Sequence, residues 1–192
     1  MKNKLFILLA LCSSLAYAEP RDFGLAKLPD MPKNSEFAET ANELPAVPNP
    51  NQGEWLDLYV NETHTGKPRI LLDSLHILPD RSVRYLFNSR SASGYDNVTA
   101  EGLVCAEGIF NSDGALHKTF AYADLDNQRW IIARNAKWRV IGSKRNAADP
   151  VRRVLYEVIC ANNKILNEKQ LRQLLIEQGS TARENRNQRS GK

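Results

Sequence analysis

Apolar and polar residues alternate in a two-residue rhythm through the middle of the chain and change to a helical rhythm near its end. Trp55 to Val60 is a short apolar run. Ile70 to Leu78 carries apolar side chains at both parities, with Leu71, Leu75 and Ile77 on one face and Ile70, Leu72, His76 and Leu78 on the other. A strand apolar on both sides belongs inside a covered sheet. Val83 to Ser91 and Val98 to Glu107 flank the turn-rich Ser93-Gly94-Tyr95-Asp96, which reads as a hairpin. A second reversal is expected at Asn111-Ser112-Asp113-Gly114, where left-handed and Asx-turn residues join Gly102 to Phe110 with Leu116 to Ala123. Strict alternation along that last strand puts Leu116, Phe120, Tyr122 and the stem of Lys118 on one face, and His117, Thr119 and Ala121 on the other. Asp124-Leu125-Asp126-Asn127 turns the chain into Arg129 to Ala133, and Trp138 to Ile141 ends the β region. The pattern predicts an antiparallel meander.

The rhythm then changes. Asp149 can cap a helix, Pro150 suits its first position, and Val151, Val154, Leu155 and Val158 recur at helical spacing up to Cys160. A second helix is expected after Asn167, with Gln170 as its capping-box partner and Leu166 and Leu171 placed for a hydrophobic staple. Leu171, Leu174 and Leu175 form its apolar face and Gly179 stops it. The expected fold is α+β, mainly an antiparallel β meander followed by two C-terminal helices.

Flanking segments lack either rhythm. Lys2 and Lys4 precede the unbroken apolar run Leu5 to Leu11, which is long enough for a signal peptide and far too short to span a bilayer. Ala16-Tyr17-Ala18 then presents the small residues a signal peptidase reads, so residues 1–18 are expected to be removed between Ala18 and Glu19. No second apolar stretch stops transfer, and the mature chain is expected in the periplasm. Lipid anchoring through Cys12, or display at the outer surface, is the alternative. Leu11 ahead of Cys12 is larger than a lipoprotein peptidase favours. Residues 19–53, rich in proline and poor in apolar side chains, read as a flexible or loosely draped arm. The globular domain is expected over 54–179, and 180–192 as a basic disordered tail.

Charge changes that picture little. The whole chain carries a formal +4, but two of those charges are Lys2 and Lys4 in the signal segment. Residues 19–53 hold three basic against six acidic side chains, and 54–161 fourteen against thirteen. The excess of seven basic over three acidic residues lies in 162–192. A nearly neutral folded region does not imply nucleic-acid binding, even with Arg129, Arg134, Lys137 and Arg139 around Trp130 and Trp138. The tail's Arg183, Arg186, Arg189 and Lys192 could make only weak contact with anionic membrane, at ~1 kcal/mol per basic residue.

Removal of Cys12 with the signal leaves Cys105 and Cys160, which allow one internal pairing. A disulfide across their separation of 55 residues is expected to contribute ~4 kcal/mol in the chain-entropy model. Neither cysteine lies in a Cys-x-x-Cys motif or at metal-ligand spacing, so redox and metal roles have no support.

Catalytic motifs are absent from the sequence. His64, His76 and His117 show no metal-triad spacing, and there is neither a Gly-x-Ser-x-Gly nor a His-Glu-x-x-His motif. Asp124-Leu125-Asp126-Asn127 begins like a calcium loop but lacks the glycine and terminal glutamate that such a loop needs. No cofactor or metal is implied. The residues that could meet in a surface site or cleft are Glu101, His117 and Asp124.

Several blocks together resemble a known family. These are Glu54-Trp55, Ser82-Val83-Arg84-Tyr85, Ser91-Ala92-Ser93-Gly94, Asn97-Val98, Glu101-Gly102-Leu103-Val104-Cys105, Phe120-Ala121-Tyr122, Trp130, Trp138 and Cys160, covering roughly residues 54 to 162. The chain resembles the cryptic neisserial protein family. That resemblance implies an exported Gram-negative envelope protein and brings no catalytic residues to carry over. Its members are often thought to be lipoproteins, and Leu11 before Cys12 departs from that pattern.

Two functions of different class are therefore expected. The first is a non-enzymatic module that binds another protein or an envelope polymer. The second is a small periplasmic hydrolase drawing acid and base from Glu101, His117 or Asp124. A cleft gathering two of those side chains would favour the enzyme; exposed aromatics on an open surface would favour binding.

Overall fold

A computed structural model describes residues 39–41, 43–105, 115–141, 149–160 and 167–180. The two-residue rhythm becomes seven antiparallel strands. They are β1 (Trp55–Asp57), β2 (Lys67–Ile77), β3 (Ser82–Arg90), β4 (Val98–Val104), β5 (Leu116–Asp124), β6 (Arg129–Ile132) and β7 (Arg139–Val140). β1 to β6 follow one another across a single sheet, and β7 pairs with β5. The helical rhythm becomes α1 (Pro150–Ile159) and α2 (Glu168–Gln178). The α+β meander with two C-terminal helices is the fold.

Local chemistry sets the element boundaries. Between β3 and β4, Gly94 adopts φ +88°, and Asn88 Nδ2 donates to Asp96 Oδ1 at 2.8 Å. Asp124 Oδ1 accepts from Asn127 N at 3.3 Å, closing the reversal between β5 and β6. Asp149 caps α1 by accepting from Arg152 N, and Asn167 with Gln170 forms the complete capping box of α2. These bonds satisfy backbone donors that a helix start leaves open. Gly179 ends α2 in the right-handed region at φ −66°. A Cβ there would meet Leu175 O at 2.6 Å and the side chains of Leu56 and Leu58 at 3.2 Å. Its service is close approach, and Tyr59 N donates to Gly179 O at 3.0 Å across that contact. The Asn111–Gly114 reversal and Leu166 of the staple lie outside the described residues.

Two bulges overturn strict alternation. On β2 the register shifts between Leu71 and His76, and Ser74 Oγ accepts from Leu86 N at 2.7 Å where a ladder carbonyl would otherwise stand. The shift places Ile70, Leu72 and Leu75 in one core, with Ile77 packed on it, and leaves Leu71 in the other. On β5, Glu101 pairs with Thr119 and Ala100 with Ala121. Phe120 is thus the extra residue, and Phe120 and Ala121 both join the second core. Tyr122 moves to the face opposite the one alternation assigned, since a bulged residue shifts every later side chain by one position.

The sheet separates two layers. On one face Ile70, Leu72, Val83, Tyr85, Phe87 and Leu103 pack with Val151, Leu155, Val158 and Ile159 of α1 and with Leu171 and Leu175 of α2. Each fully buried aliphatic side chain there stabilises the fold by about 1.5–3 kcal/mol. Cys105, just past β4, and Cys160, the C-cap of α1, form the disulfide with Cα atoms 5.5 Å apart. On the other face a smaller core of Leu86, Ala100 and Ala121 is covered by Leu44 of the arm and flanked by Leu71, Phe120 and Trp130. Residues 39–41 and 43–53 of the arm belong to the same compact unit as the sheet. Among the described residues no helix is long and apolar enough to cross a membrane.

Candidate functional site

Glu101 is carried on β4 at an inward position beside Leu103, which commits a carboxylate to the helix-covered face. Its side chain is fully buried. Arg152, in the first turn of α1, reaches back to the sheet. Its Nη2 donates to Glu101 Oε1 at 2.5 Å and its Nε to Oε2 at 3.2 Å. Thr99 Oγ1 donates to Oε1 at 2.6 Å, and His117 Nε2 stands 3.2 Å from Oε2. Arg152 also stacks over the Phe87 ring at 4.3 Å and lies 3.4 Å from Asp149, the α1 cap. Burial opposes ionisation of Glu101, but the Arg152 charge and the hydrogen bonds from His117 and Arg152 outweigh it and bring the carboxyl to about 2. Arg152 is desolvated yet held above its ordinary value by Glu101. The neighbouring Tyr85 hydroxyl is pushed well up by burial and by the Glu101 charge.

Glu101 and His117 therefore meet, as two of the three sequence candidates. Asp124 does not join them. It sits at the far end of β5, accepts from Asn127 Nδ2 and pairs with Arg129 Nε at 2.9 Å. Those bonds keep its carboxyl below the usual range. His76 lies 3.5 Å from Glu168 on α2, and the His64 backbone N–H closes a turn on Asn61 O. Among the described residues no cluster of three His, Cys, Asp or Glu side chains could hold a metal ion.

A second polar cluster lies on the opposite face, beneath the arm. Arg84 projects from β3 and its guanidinium stands 4.1 Å from the Phe120 ring centroid and 5.3 Å from that of Trp138. Gly102 makes the floor: a Cβ there would meet Arg84 Nη1 at 2.5 Å, Phe120 at 2.9 Å and Trp138 at 3.0 Å. Only a residue without a side chain leaves room for this stack. Glu39 of the arm closes the cluster from above. Its Oε2 accepts from Lys118 Nζ at 2.6 Å and from Trp138 Nε1 at 2.8 Å. Partial burial opposes its ionisation, but these two bonds, with the Lys118 and Arg84 charges, hold its carboxyl below the ordinary value.

Arg84 itself is poorly matched. Its Nη2 reaches Asp80 Oδ2 at 3.7 Å and Thr40 O at 3.4 Å. Asp80 is already engaged by Thr40 N, Ser82 N and Ser82 Oγ. Arg84 Nε and Nη1 are buried without a hydrogen-bond partner among the described residues, and desolvation lowers the Arg84 pKa. Beside it opens a cavity of about 330 Å³ between arm and sheet, with walls that include Glu39, Glu43, Leu44, Arg84, Leu86 and Phe120.

The sequence reading singled out Glu101 and His117 but not Arg152, which is separated from Glu101 by 51 residues. An inward glutamate flanked by Leu103 was a usable signal, because a charge in that position needs a partner. Lys118 and Arg84 were missed as a site because the carboxylate that joins them to Trp138 comes from the arm.

A known protein family resembles this chain over most of its length. A family model described as the CNP1-like family matches residues 32–175. Cryptic neisserial protein 1 of Neisseria gonorrhoeae (strain ATCC 700825 / FA 1090) is 46% identical over 130 residues, which is 65% of this chain and 64% of that protein. The chain thus matches less than two thirds of that relative's length. No solved structure matches. With a matched span that takes in the arm residues from Glu39, all seven strands and most of α2, the chain belongs to the CNP1-like family.

Proposed function

We propose that the protein is exported to the cell envelope, loses residues 1–18 on the way, and acts in the periplasm as a binding module for another envelope protein. The observation that carries the non-catalytic reading is the state of Glu101. Both its oxygens are taken by Arg152, Thr99 and His117, its side chain is sealed from solvent, and it is ionised throughout the neutral range. A carboxylate so paired is neither a proton donor nor an accessible base or nucleophile. The pair reads as a structural tie between β4 and α1.

Binding has a surface available. β6 ends the sheet order, and Ile131 and Ile132 on it are 52% and 66% exposed. Tyr122, paired with Ile131, and Val140 of β7, farther along the same edge of β5, are about half exposed. An open strand edge flanked by apolar side chains suits an extended protein segment that adds to the sheet. The basic tail would add weak, salt-sensitive attraction to anionic membrane.

The test is made in cells. A photocrosslinker at position 132 is expected to give one discrete adduct in the periplasmic fraction, on a chain whose mass begins at Glu19, while the same group at position 57 gives none. Recovery of an acylated chain beginning at Cys12 would overturn the soluble periplasmic form. Absence of an adduct at 132 would overturn the edge, and hydrolytic turnover abolished by Glu101→Gln would overturn the non-catalytic reading.

A further inference from the structure

The sheet face beneath the arm carries an independent site. Three features converge there. A carboxylate, that of Glu39, is already bound through one oxygen by Lys118 Nζ at 2.6 Å and Trp138 Nε1 at 2.8 Å. Arg84, 6% exposed, keeps two guanidinium nitrogens, Nε and Nη1, without partners among the described residues, and native proteins seldom leave buried donors so. The cavity of about 330 Å³ touches both Glu39 and Arg84, and Leu44, Pro45, Leu86, Ala100 and Phe120 give it an apolar lining.

We propose that this is a binding site for a small monocarboxylate with an apolar body, whose carboxylate replaces that of Glu39 on Lys118, Trp138 and Arg84 while the body fills the cavity. Glu39 is the intramolecular occupant when the ligand is absent. The arm is suited to exchange. Among the described residues, the bonds of arm residues 39–45 to the rest of the fold each use a side chain on at least one partner, as in Thr40 N to Asp80 and Trp130 Nε1 to Pro45 O, and no strand ladder ties them down. The charge of the ligand follows from the walls. Glu43 lines the cavity and Asp80 stands beside Arg84, so a second negative charge on the ligand meets repulsion. A single planar carboxylate matches the group already seated. The size lies at the small end of ligand pockets, which suits a body of one ring or a short alkyl chain.

The experiment is calorimetric titration of the purified exported chain with 3-phenylpropionate, with 3-phenylpropanol as neutral analogue and phenyl phosphate as dianion. One-to-one binding of the carboxylate is expected, with weaker binding of the phosphate and none of the alcohol. Glu39→Gln, which weakens the internal competitor, is expected to tighten binding several-fold. Lys118→Met should weaken it about tenfold or more and Lys118→Arg should restore it. Melting curves confirm that each variant is folded, and Glu39→Gln is informative even if the Lys118 variants are not. Equal binding of the alcohol, unchanged or weaker binding by Glu39→Gln, or no carboxylate binding by either the parent chain or Glu39→Gln would overturn the site. The β6 edge is read separately, by the crosslink at position 132, so failure of the carboxylate site and failure of the edge are told apart.

Discussion

The two faces of the sheet each hold a carboxylate paired with a cation, and they solve the problem differently. Under α1, Glu101 comes from a central strand, is sealed from solvent, and has partners for both oxygens from elements the fold fixes independently. Under the arm, Glu39 comes from a segment without strand pairing, is 32% exposed at its side chain, and leaves Arg84 short of partners. The difference teaches that an ion pair's role follows from what else holds its members in place. A satisfied buried pair specifies the fold, and an under-satisfied one at a removable segment is available for exchange.

The strongest way to break this comparison is to remove Glu101. Glu101→Ala leaves Arg152 buried without its counter-charge and is expected to cost about 3–5 kcal/mol in urea unfolding. A loss below about 1 kcal/mol would put the two carboxylates in the same class. Acid titration sharpens the contrast next. Glu101 has a folded value of about 2 against 4.5 for the free group, so its contribution is complete above pH 4.5 and falls away as the pH drops toward 2. The integrated loss is on the order of 3 kcal/mol, and it should vanish from the pH profile of Glu101→Gln. Gly102→Ala comes third. Its methyl would press on Arg84, Phe120 and Trp138 at 2.5–3.0 Å, and the expected cost is about 1–3 kcal/mol. Smallest is Glu39→Gln, which alters a partly exposed ion pair and should shift stability by less than about 1 kcal/mol. A melting temperature lowered by many degrees would show the arm to be structural, as Glu101 is.

Periodicity made most of the fold legible. Strand order and both helix caps follow from local spacing and turn chemistry, and the cysteine pairing follows from the small number of cysteines. What alternation could not supply was the side-chain facing beyond a bulge. Leu75 and Tyr122 stand opposite to expectation because Ser74 and Phe120 sit in irregular stretches of β2 and β5, and no pattern in those strands announces the extra residues. For the site, Glu101 and His117 were visible as candidates, and their meeting follows from Leu103 pairing with His117 across β4 and β5. Their use was not visible, because Arg152 decides it from a helix distant in sequence. The arm's part was hidden for the opposite reason. Its proline-rich composition signals flexibility, while its attachment rests on single side chains such as Glu39 and Leu44 that composition does not weigh.

Glu101 and Gly102 are adjacent on β4 and serve opposite faces, one as the centre of a charged tie and the other as the floor of a cation stack. A slip of β4 by one residue in one direction would turn the carboxylate toward Phe120 and Trp138, and a slip in the other direction would put a glycine where Arg152 needs its counter-charge. Each direction of slip therefore meets its own penalty, so the dipeptide disfavours both of the nearest misregisters of β4. A meander pairs each strand with its neighbour in sequence, so its nearest competitors are slips of register, and here two adjacent residues each disfavour one of them.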